Sequence, residues 1–192
     1  MKWNTAKEKI AFNTFPHFTE EDLVRAQTRL LEMAKLVCGT LEKNGFDYFI
    51  ISGTLLGAVR HQGFIPWDED FDLFLFDDTY DAAVECVRKT LPEDMCIQDK
   101  HSDPIYWPAW AKVRDLNTDM HHVEWPDDNV YKFRGLHMDL YRCKKVPRDM
   151  MEIWRKKESP FMLLIAEVIS PEISLTQKND NILDISSILS IF

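Results

Sequence analysis

Length, composition and charge limit what this chain can be. Its 192 residues are 45% hydrophobic, which is enough to bury one core and at most a small appendage. Lys and Arg total 23, whereas Asp and Glu total 32, so the formal net charge is -9. This balance argues against nonspecific binding to nucleic acid or to an anionic membrane, because no overall positive field draws phosphates in. A metal-assisted site for a small anion stays open.

The N-terminal part of the chain predicts a helix, a strand and a second, short helix. Thr19 and the three acids after it form a helix start, and apolar residues then recur at helical spacing until Gly45. Residues 46–52 are typical of a strand, which Gly53 interrupts, and residues 54–60 are typical of a short helix.

A strand with acids at its start follows. Residues 63–73 read Gly-Phe-Ile-Pro-Trp-Asp-Glu-Asp-Phe-Asp-Leu, and residues 71–76 have the composition of a buried strand. If Asp70 and Asp72 both lie in this strand, they share a face and their backbones are about 7 Å apart. They can then bind one cation together. Without a cation or a basic partner they repel, and one carboxyl group tends to hold its proton.

Two simpler explanations of these acids are a solvated turn and a calcium loop. Short Asp-x-Asp motifs are common, and a solvated acidic turn explains them without any function. A calcium loop counted from Asp68 places Leu73 where glycine is required and Thr79 where a bidentate glutamate is required, so this alternative fails. Asp68 itself either caps the loop or contacts the metal.

The rest of the chain predicts further strands between two helices. One helix runs from Thr79 to about Lys89, and a charged helix runs from residue 148 to about 158. The strand candidates are residues 110–114, 118–125, 130–134 and 136–141, with a hairpin around residues 126–129. Residues 171–192 alternate Ile and Leu with small polar residues and fit no element.

Ser52 and Gly53, with the helix N-terminus at Thr54, form a candidate phosphate site. A small-residue turn lets backbone N–H groups approach phosphate oxygens, and the helix dipole favours a negative charge there. Asp70 follows Gly53 by 17 residues. A phosphate cradle beside a carboxylate pair is what Mg²⁺-dependent phosphoryl or nucleotidyl transfer requires.

Three blocks of the sequence resemble a known family. Residues 52–72, Ser-Gly-Thr-Leu-Leu-Gly-Ala-Val-Arg-His-Gln-Gly-Phe-Ile-Pro-Trp-Asp-Glu-Asp-Phe-Asp, are similar to the signature of the LicD family, the phosphocholine transferases of bacterial glycans whose eukaryotic relatives are the fukutins. Residues 111–118 and 135–140 are similar to that family's two later blocks. The resemblance, over roughly residues 18–147, implies an α/β (α+β) fold with a nucleotidyltransferase-like mixed β-sheet flanked by helices, and a CDP-activated donor.

The resemblance also implies roles for individual residues. Asp70 and Asp72 would hold Mg²⁺ or Mn²⁺, and Asp139 on a neighbouring strand would act as general base or as a third ligand. The residues expected to bind substrate are Ser52, Gly53, Thr54, Arg60, Lys112 and Arg114. We expect an N-terminal extension at residues 1–17, a family domain at 18–170 that is shortened at its C-terminal end, and a tail at 171–192.

Simpler explanations stay open for the basic and aromatic residues and for the histidines. Arg60 could close the end of its helix, and Lys112 and Arg114 could pair with Asp103 or Asp115. Tryptophans pack in cores more often than they stack on a base; those considered are Trp67, Trp107 and Trp110. Four histidines raise the possibility of a zinc site, but they do not have a recognised zinc-binding spacing; they are His61, His121, His122 and His137.

The sequence also predicts a cellular compartment. Cys38, Cys86, Cys96 and Cys143 form no Cys-x-x-Cys pair and lie in apolar surroundings, which is typical of buried free thiols in a reducing compartment. The first nine residues lack the apolar core of a signal peptide, and the longest apolar run, residues 161–169, is too short to span a bilayer. We therefore expect a soluble, cytoplasmic protein.

The resemblance, together with the acidic strand and the phosphate turn, implies an enzyme that moves a phosphate-linked alcohol, such as phosphocholine, from a CDP conjugate to a sugar hydroxyl of a cell-surface glycan, with CMP leaving. One alternative is nucleotidyl transfer on the same scaffold, with pyrophosphate leaving. The other is a shortened, inactive module that binds nucleotide or a partner surface. The expected partners are the CDP-linked donor and the glycan acceptor, with no nucleic acid and no membrane span.

Overall fold

The computed structural model describes residues 10–13, 19–121 and 129–144. The predicted helix at 148–158, most of the predicted hairpin around 126–129, and the tail at 171–192 lie outside these residues. The elements in chain order are β1 (Ile10–Asn13), α1 (Glu20–Lys43), β2 (Tyr48–Ile50), α2 (Ser52–His61), β3 (Phe71–Phe76), α3 (Tyr80–Thr90), β4 (Met95–Gln98), β5 (Ala111–Asp115), β6 (Thr118–His121) and β7 (His137–Cys143).

Five of these strands form one mixed sheet in the order β2-β3-β7-β5-β4. The central pair, β3 and β7, runs parallel, whereas the other three pairs are antiparallel. β1 and β6 form a separate parallel pair, so residues 10–13 of the expected N-terminal extension contact the family region. The mixed sheet with helices packed against it confirms the predicted fold class.

The five-stranded sheet has an apolar face and a polar face. Leu73 and Leu75 of β3 are fully buried, and Leu73 lies beside Leu140 of β7. Helices α1 and α3 pack on this face and complete the hydrophobic core. Because side chains alternate along a strand, Asp72 and Asp139 are directed to the opposite face. The buried carboxyl groups therefore lie on the face of the sheet opposite to the one that α1 and α3 cover.

Helix α1 forms as the sequence predicts and also supports the acidic loop. Thr19 is the N-cap, and its hydroxyl oxygen accepts a hydrogen bond of 3.1 Å from the Asp22 N–H. The apolar positions on one side of α1 are fully buried; they are Ala26, Leu30, Met33, Val37 and Leu41. On another side, the Gln27 amide donates to the carbonyl oxygens of Ile65 and Asp68, at 3.0 and 2.9 Å. These two bonds fix the loop that leads into β3.

Some predicted elements differ from the structure. The strand predicted at 46–52 is confined to β2, and the helix predicted from Thr54 begins two residues earlier, at Ser52. The strand predicted at residues 130–134 is wrong. There, the Lys132 N–H donates to the Asp103 carboxylate at 2.8 Å, and the Tyr131 ring packs against Tyr106. These contacts hold residues 130–134 in a loop rather than in a strand. The sequence pattern did not predict the short strands β1 and β4.

The structure tests two further predictions, that the cysteine thiols are buried and that no segment spans a membrane. None of the four cysteines is in a disulfide bond; Cys38 is buried, whereas Cys86, Cys96 and Cys143 are only partly buried. Burial of the thiol is therefore confirmed for Cys38 and wrong for the other three. In the described ranges, no helix has the length and apolarity needed to cross a membrane.

Candidate active site

A row of polar side chains crosses four neighbouring strands on the polar face. Asp72 of β3 is in register with Asp139 of β7, and Asp139 is in register with Lys112 of β5. Lys112 is in register with Gln98 of β4, which continues the row to the edge of the sheet. All four residues are buried. The expectation that the Asp139 strand pairs beside the acidic strand is confirmed.

Asp68 and Asp70 bring two further carboxyl groups to one end of this row. Asp70 directly precedes β3, so only Asp72 of the expected pair lies within the strand. The carboxyl groups of Asp68 and Asp70 lie close enough for each to change the pKa of the other. Acids this close together are harder to ionise together unless a cation binds between them.

Burial raises the pKa of all three aspartates, and neighbouring acidic charges add to the rise. Burial is the larger cause for Asp72, with the charges of Asp70 and Asp139 adding to it, and its pKa rises to about 9. The pKa of Asp70 rises to about 7, from burial and then from the charges of Asp68 and Asp139. Burial raises the pKa of Asp68 to about 6. The nearby charge of Lys112 lowers the first two pKa values but does not cancel the rise.

These carboxyl groups fit a divalent cation. One oxygen of Asp72, Oδ1, is buried and makes no hydrogen bond within the part of the chain that the structure describes. Carboxylate oxygens are the ligands that Mg²⁺ and Mn²⁺ prefer. Across residues 19–121 and 129–144, no three His, Cys, Asp or Glu side chains are arranged to hold a metal. The fit therefore depends on Asp70 and Asp72 with phosphate oxygens as further ligands, a common arrangement for Mg²⁺.

The two oxygens of Asp139 have different surroundings. Oδ2 accepts from the Tyr141 hydroxyl at 3.1 Å and from Lys112 Nζ at 3.5 Å, and His137 Nε2 lies 3.9 Å away. Oδ1 lies 3.1 Å from Lys112 Nζ as an ion pair, yet the angles are unsuitable for a hydrogen bond. Donors thus hold Oδ2, while Oδ1 keeps a lone pair without a hydrogen bond from the described residues.

The expected phosphate turn is strained and lies against the acidic loop. Ser52 is exposed and has φ +52, a left-handed conformation that costs a non-glycine residue about 1–3 kcal/mol. A Cβ on Gly53 would lie 2.6 Å from Asp68 Oδ2, so only glycine allows this approach. The buried Thr54 hydroxyl accepts from the Asp72 N–H at 2.9 Å. Thr54 therefore connects the start of α2 to the acid strand.

The three basic residues expected to contact phosphate lie in different environments. Lys112 points into the acid row. Arg114 is fully buried, with Nε donating to Gln98 Oε1 at 2.7 Å and Nη1 to the Gly135 carbonyl at 2.9 Å. Arg60 is exposed in the last turn of α2. Neither strand residue forms the alternative ion pair with Asp103 or Asp115, since Asp115 pairs with Arg29 and Asp103 bonds to Gln98.

Two aromatic residues near the acids were not predicted as part of the site. The Trp110 ring packs on the Tyr141 ring with centroids 4.7 Å apart, and the Tyr141 hydroxyl contacts Asp139. The alternation along β7 already places Tyr141 on the face of Asp139, so this signal was available. In contrast, Trp67 and Trp107 are 63% and 73% exposed, so the core explanation does not apply to them.

Comparison with known proteins gives a family and several relatives. The family described as LicD/FKTN/FKRP, nucleotidyltransferase domain, matches residues 45–163. The chain is 46% identical over 116 residues to the lipopolysaccharide cholinephosphotransferase LicD of Haemophilus influenzae, covering 56% of this chain and 39% of that protein. It is 49% identical over 112 residues to the ribitol 5-phosphate transferase FKRP of Mus musculus, covering 58% of this chain and 20% of that protein. The chain thus spans well under two thirds of either relative.

Proposed function

The chain belongs to the LicD/FKTN/FKRP family, and we propose on this premise that it transfers a phosphate-linked alcohol, such as phosphocholine, from a CDP-activated donor to a sugar hydroxyl of a glycan. The names of both relatives describe transfer of such a group, choline phosphate in one and ribitol 5-phosphate in the other. The observation that carries the proposal is the register of Asp72 and Asp139 on one face of the sheet.

Donor binding would use the acidic end of the polar row. Asp70 and Asp72 would hold Mg²⁺ or Mn²⁺, which would neutralise phosphate charge and make the phosphorus easier to attack. The N-terminus of α2 begins at Ser52 and Gly53 and lies against Asp68, and the backbone N–H groups of a helix N-terminus favour a phosphate. Both features favour a diphosphate at the N-terminus of α2, beside the acid strand.

Asp139 is placed to act on the acceptor. We assign its Oδ1 to take the proton of the acceptor hydroxyl, because no described residue hydrogen-bonds to this oxygen, whereas the Tyr141 hydroxyl donates to Oδ2. The hydroxyl oxygen then forms a bond to the phosphorus that carries the alcohol. The bond from that phosphorus to the bridging oxygen breaks, and CMP leaves with the electron pair.

Lys112 would balance charge in this step. Its ammonium group lies next to Asp139 and lowers the pKa of both Asp70 and Asp72. It thereby favours the ionised carboxylates that a divalent cation needs. A direct contact between Lys112 and a donor phosphate would add to this effect, because the ammonium group carries three donors.

The experiment that tests this function incubates the full chain with a panel of CDP-linked alcohols and an oligosaccharide acceptor. The panel contains CDP-choline and CDP-ribitol, with UDP-glucose as the control donor, in Mg²⁺ or in EDTA. We expect CMP release from a CDP-alcohol in Mg²⁺ and none in EDTA. In a parallel reaction with CTP as donor, pyrophosphate release would support nucleotidyl transfer instead, and donor binding without any product would support an inactive module.

A further inference from the structure

Arg114 connects the acid row to a second buried residue, His137. The two residues are in register on β5 and β7, and Arg114 Nη1 lies 3.2 Å from His137 Nδ1. The guanidinium is also held by Gln98 Oε1 and by the Gly135 carbonyl. Both side chains are buried, so this geometry is fixed by the sheet rather than by solvent.

The chemistry of arginine determines which nitrogen of His137 carries the proton. A guanidinium has N–H donors only and stays protonated in proteins. At 3.2 Å, His137 Nδ1 must therefore present its lone pair to Arg114. The neutral ring then carries its proton on Nε2. The same contact makes Nδ1 unsuitable as a zinc ligand, because its lone pair is already used.

The protonated nitrogen faces the proposed base. His137 Nε2 lies 3.9 Å from Asp139 Oδ2, the same oxygen that accepts from Tyr141. Alternation along β7 keeps all three side chains on one face. The distance is longer than a hydrogen bond, and catalytic hydrogen bonds are often long before substrate binds. An Nε2–H in this place attracts Oδ2 and leaves Oδ1 for the acceptor.

We propose that Arg114 and His137 form a positioning pair: Arg114 fixes the Nε2–H tautomer of His137, and that N–H orients the Asp139 carboxylate so that Oδ1 meets the acceptor hydroxyl. This proposal depends on the proposed function for the role of Asp139. It gives Arg114 a role inside the sheet, different from the phosphate contact expected from the sequence. Supporting residues of this kind typically change activity by about 10–100-fold when altered.

The first test measures the tautomer without any turnover. The full chain is labelled with ¹⁵N at histidine, and the ring signals of His137 are assigned by their loss in His137→Asn. We expect an unprotonated Nδ1 and a protonated Nε2, and we expect the Nε2–H signal to shift in Asp139→Asn. A proton on Nδ1, or an Nε2–H signal unaffected by the Asp139 change, would overturn the positioning role.

The second test compares two substitutions of His137 that differ in reach. An asparagine side chain ends near the position of Nδ1 and can still accept from Arg114, whereas a glutamine amide N–H extends to the position of Nε2. We expect His137→Asn to lower kcat about 10-fold with the donor KM unchanged, and His137→Gln to restore kcat to within about 3-fold of wild type. Equal kcat values in the two variants, with equal melting points, would overturn the proposal.

Failure of the proposed function gives a different result. If the wild-type chain releases no CMP from any donor, the positioning role in transfer is overturned together with the function, while the tautomer measured by NMR still reports the Arg114 contact. If the wild type is active and the tautomer is reversed, only the positioning pair is wrong.

Discussion

Asp72 and Asp139 lie side by side in register on the two parallel strands at the centre of the sheet. Both carboxyl groups are buried on the polar face, and Lys112 lies next to Asp139 in the same row. Such a row is costly in an empty site, because buried carboxylates repel and lose hydration. The proposed function explains the cost, since a cation and a phosphate group would bind at these carboxyl groups.

The metal-free protein should lose stability as the pH rises. The folded-state pKa values of Asp70 and Asp72, about 7 and about 9, are above the usual value of 3.8. The folded chain therefore binds more protons than the unfolded chain between about pH 4 and pH 9, and stability falls through that range. We expect the melting point in EDTA to be at least about 3 °C lower at pH 9 than at pH 6.

The matched variant for this prediction is Asp72→Asn, which removes the acid with the higher pKa. Its melting point should change less between pH 7 and pH 9 than that of the wild type, because the amide does not ionise. Added Mg²⁺ should raise the wild-type melting point most at pH 9, where the carboxylates are ionised. A wild type whose stability in EDTA rises over the same range would contradict these pKa shifts.

The substitution Asp139→Asn distinguishes between two roles of Asp139, general base and metal ligand. A base is needed only for the chemical step, so Mg²⁺-dependent donor binding should stay close to wild type while turnover falls by about 100-fold or more. Calorimetry with CDP-choline and a CMP-release assay measure the two quantities. A parallel loss of binding and turnover would make Asp139 a third ligand, and wild-type turnover would exclude both roles.

Lys112→Gln should weaken metal binding near neutral pH. Without the ammonium charge, the pKa values of Asp70 and Asp72 should rise further, so more protons compete with the cation. We expect Mn²⁺ affinity, measured by electron paramagnetic resonance, to fall about 10-fold at pH 7 and less at pH 9. The control is Lys89→Gln, an exposed lysine on α3. Equal effects of the two substitutions on Mn²⁺ affinity would show that Lys112 has no specific role in metal binding.

Gly53→Ala tests the close approach of α2 to the acidic loop. The new methyl group would displace the Asp68 carboxyl, so metal-dependent donor binding should weaken about 10-fold while the helix stays folded. Gly39→Ala on α1 is the matched control, because its Cβ meets nothing within 4 Å, and there alanine should stabilise the helix. Unchanged donor affinity in Gly53→Ala would show that Asp68 and the turn do not cooperate in binding.

The sequence could predict the row of acids because alternation is a local property. In each strand, the alternation around Asp72 or Asp139 gives the face to which that side chain points. The apolar residues that alternate with these acids identify both segments as buried strands. The pairing of β3 with β7 was expected only from the family resemblance, since the two strands are separated by about 60 residues in the chain. No local signal gives that register.

The parts that were missed depend on contacts between distant residues. The segment 130–134 has a strand-like composition, but its Lys132 N–H bonds to the Asp103 side chain rather than to another strand. The orientation of Arg114 likewise follows from Gln98 and Gly135, which are close only in the folded chain. Alternation gives the face of Arg114 but not whether its donors turn toward substrate or toward the sheet.

Calorimetric titration of CDP-choline into the full chain and into Asp72→Asn, each in Mg²⁺ and in EDTA at pH 8, tests the metal site most directly. A metal held by Asp70 and Asp72 predicts binding to the wild type in Mg²⁺ that weakens at least about 10-fold in EDTA and is equally weak in Asp72→Asn under both conditions. Donor binding of the same strength in all four titrations would contradict a metal site at Asp70 and Asp72.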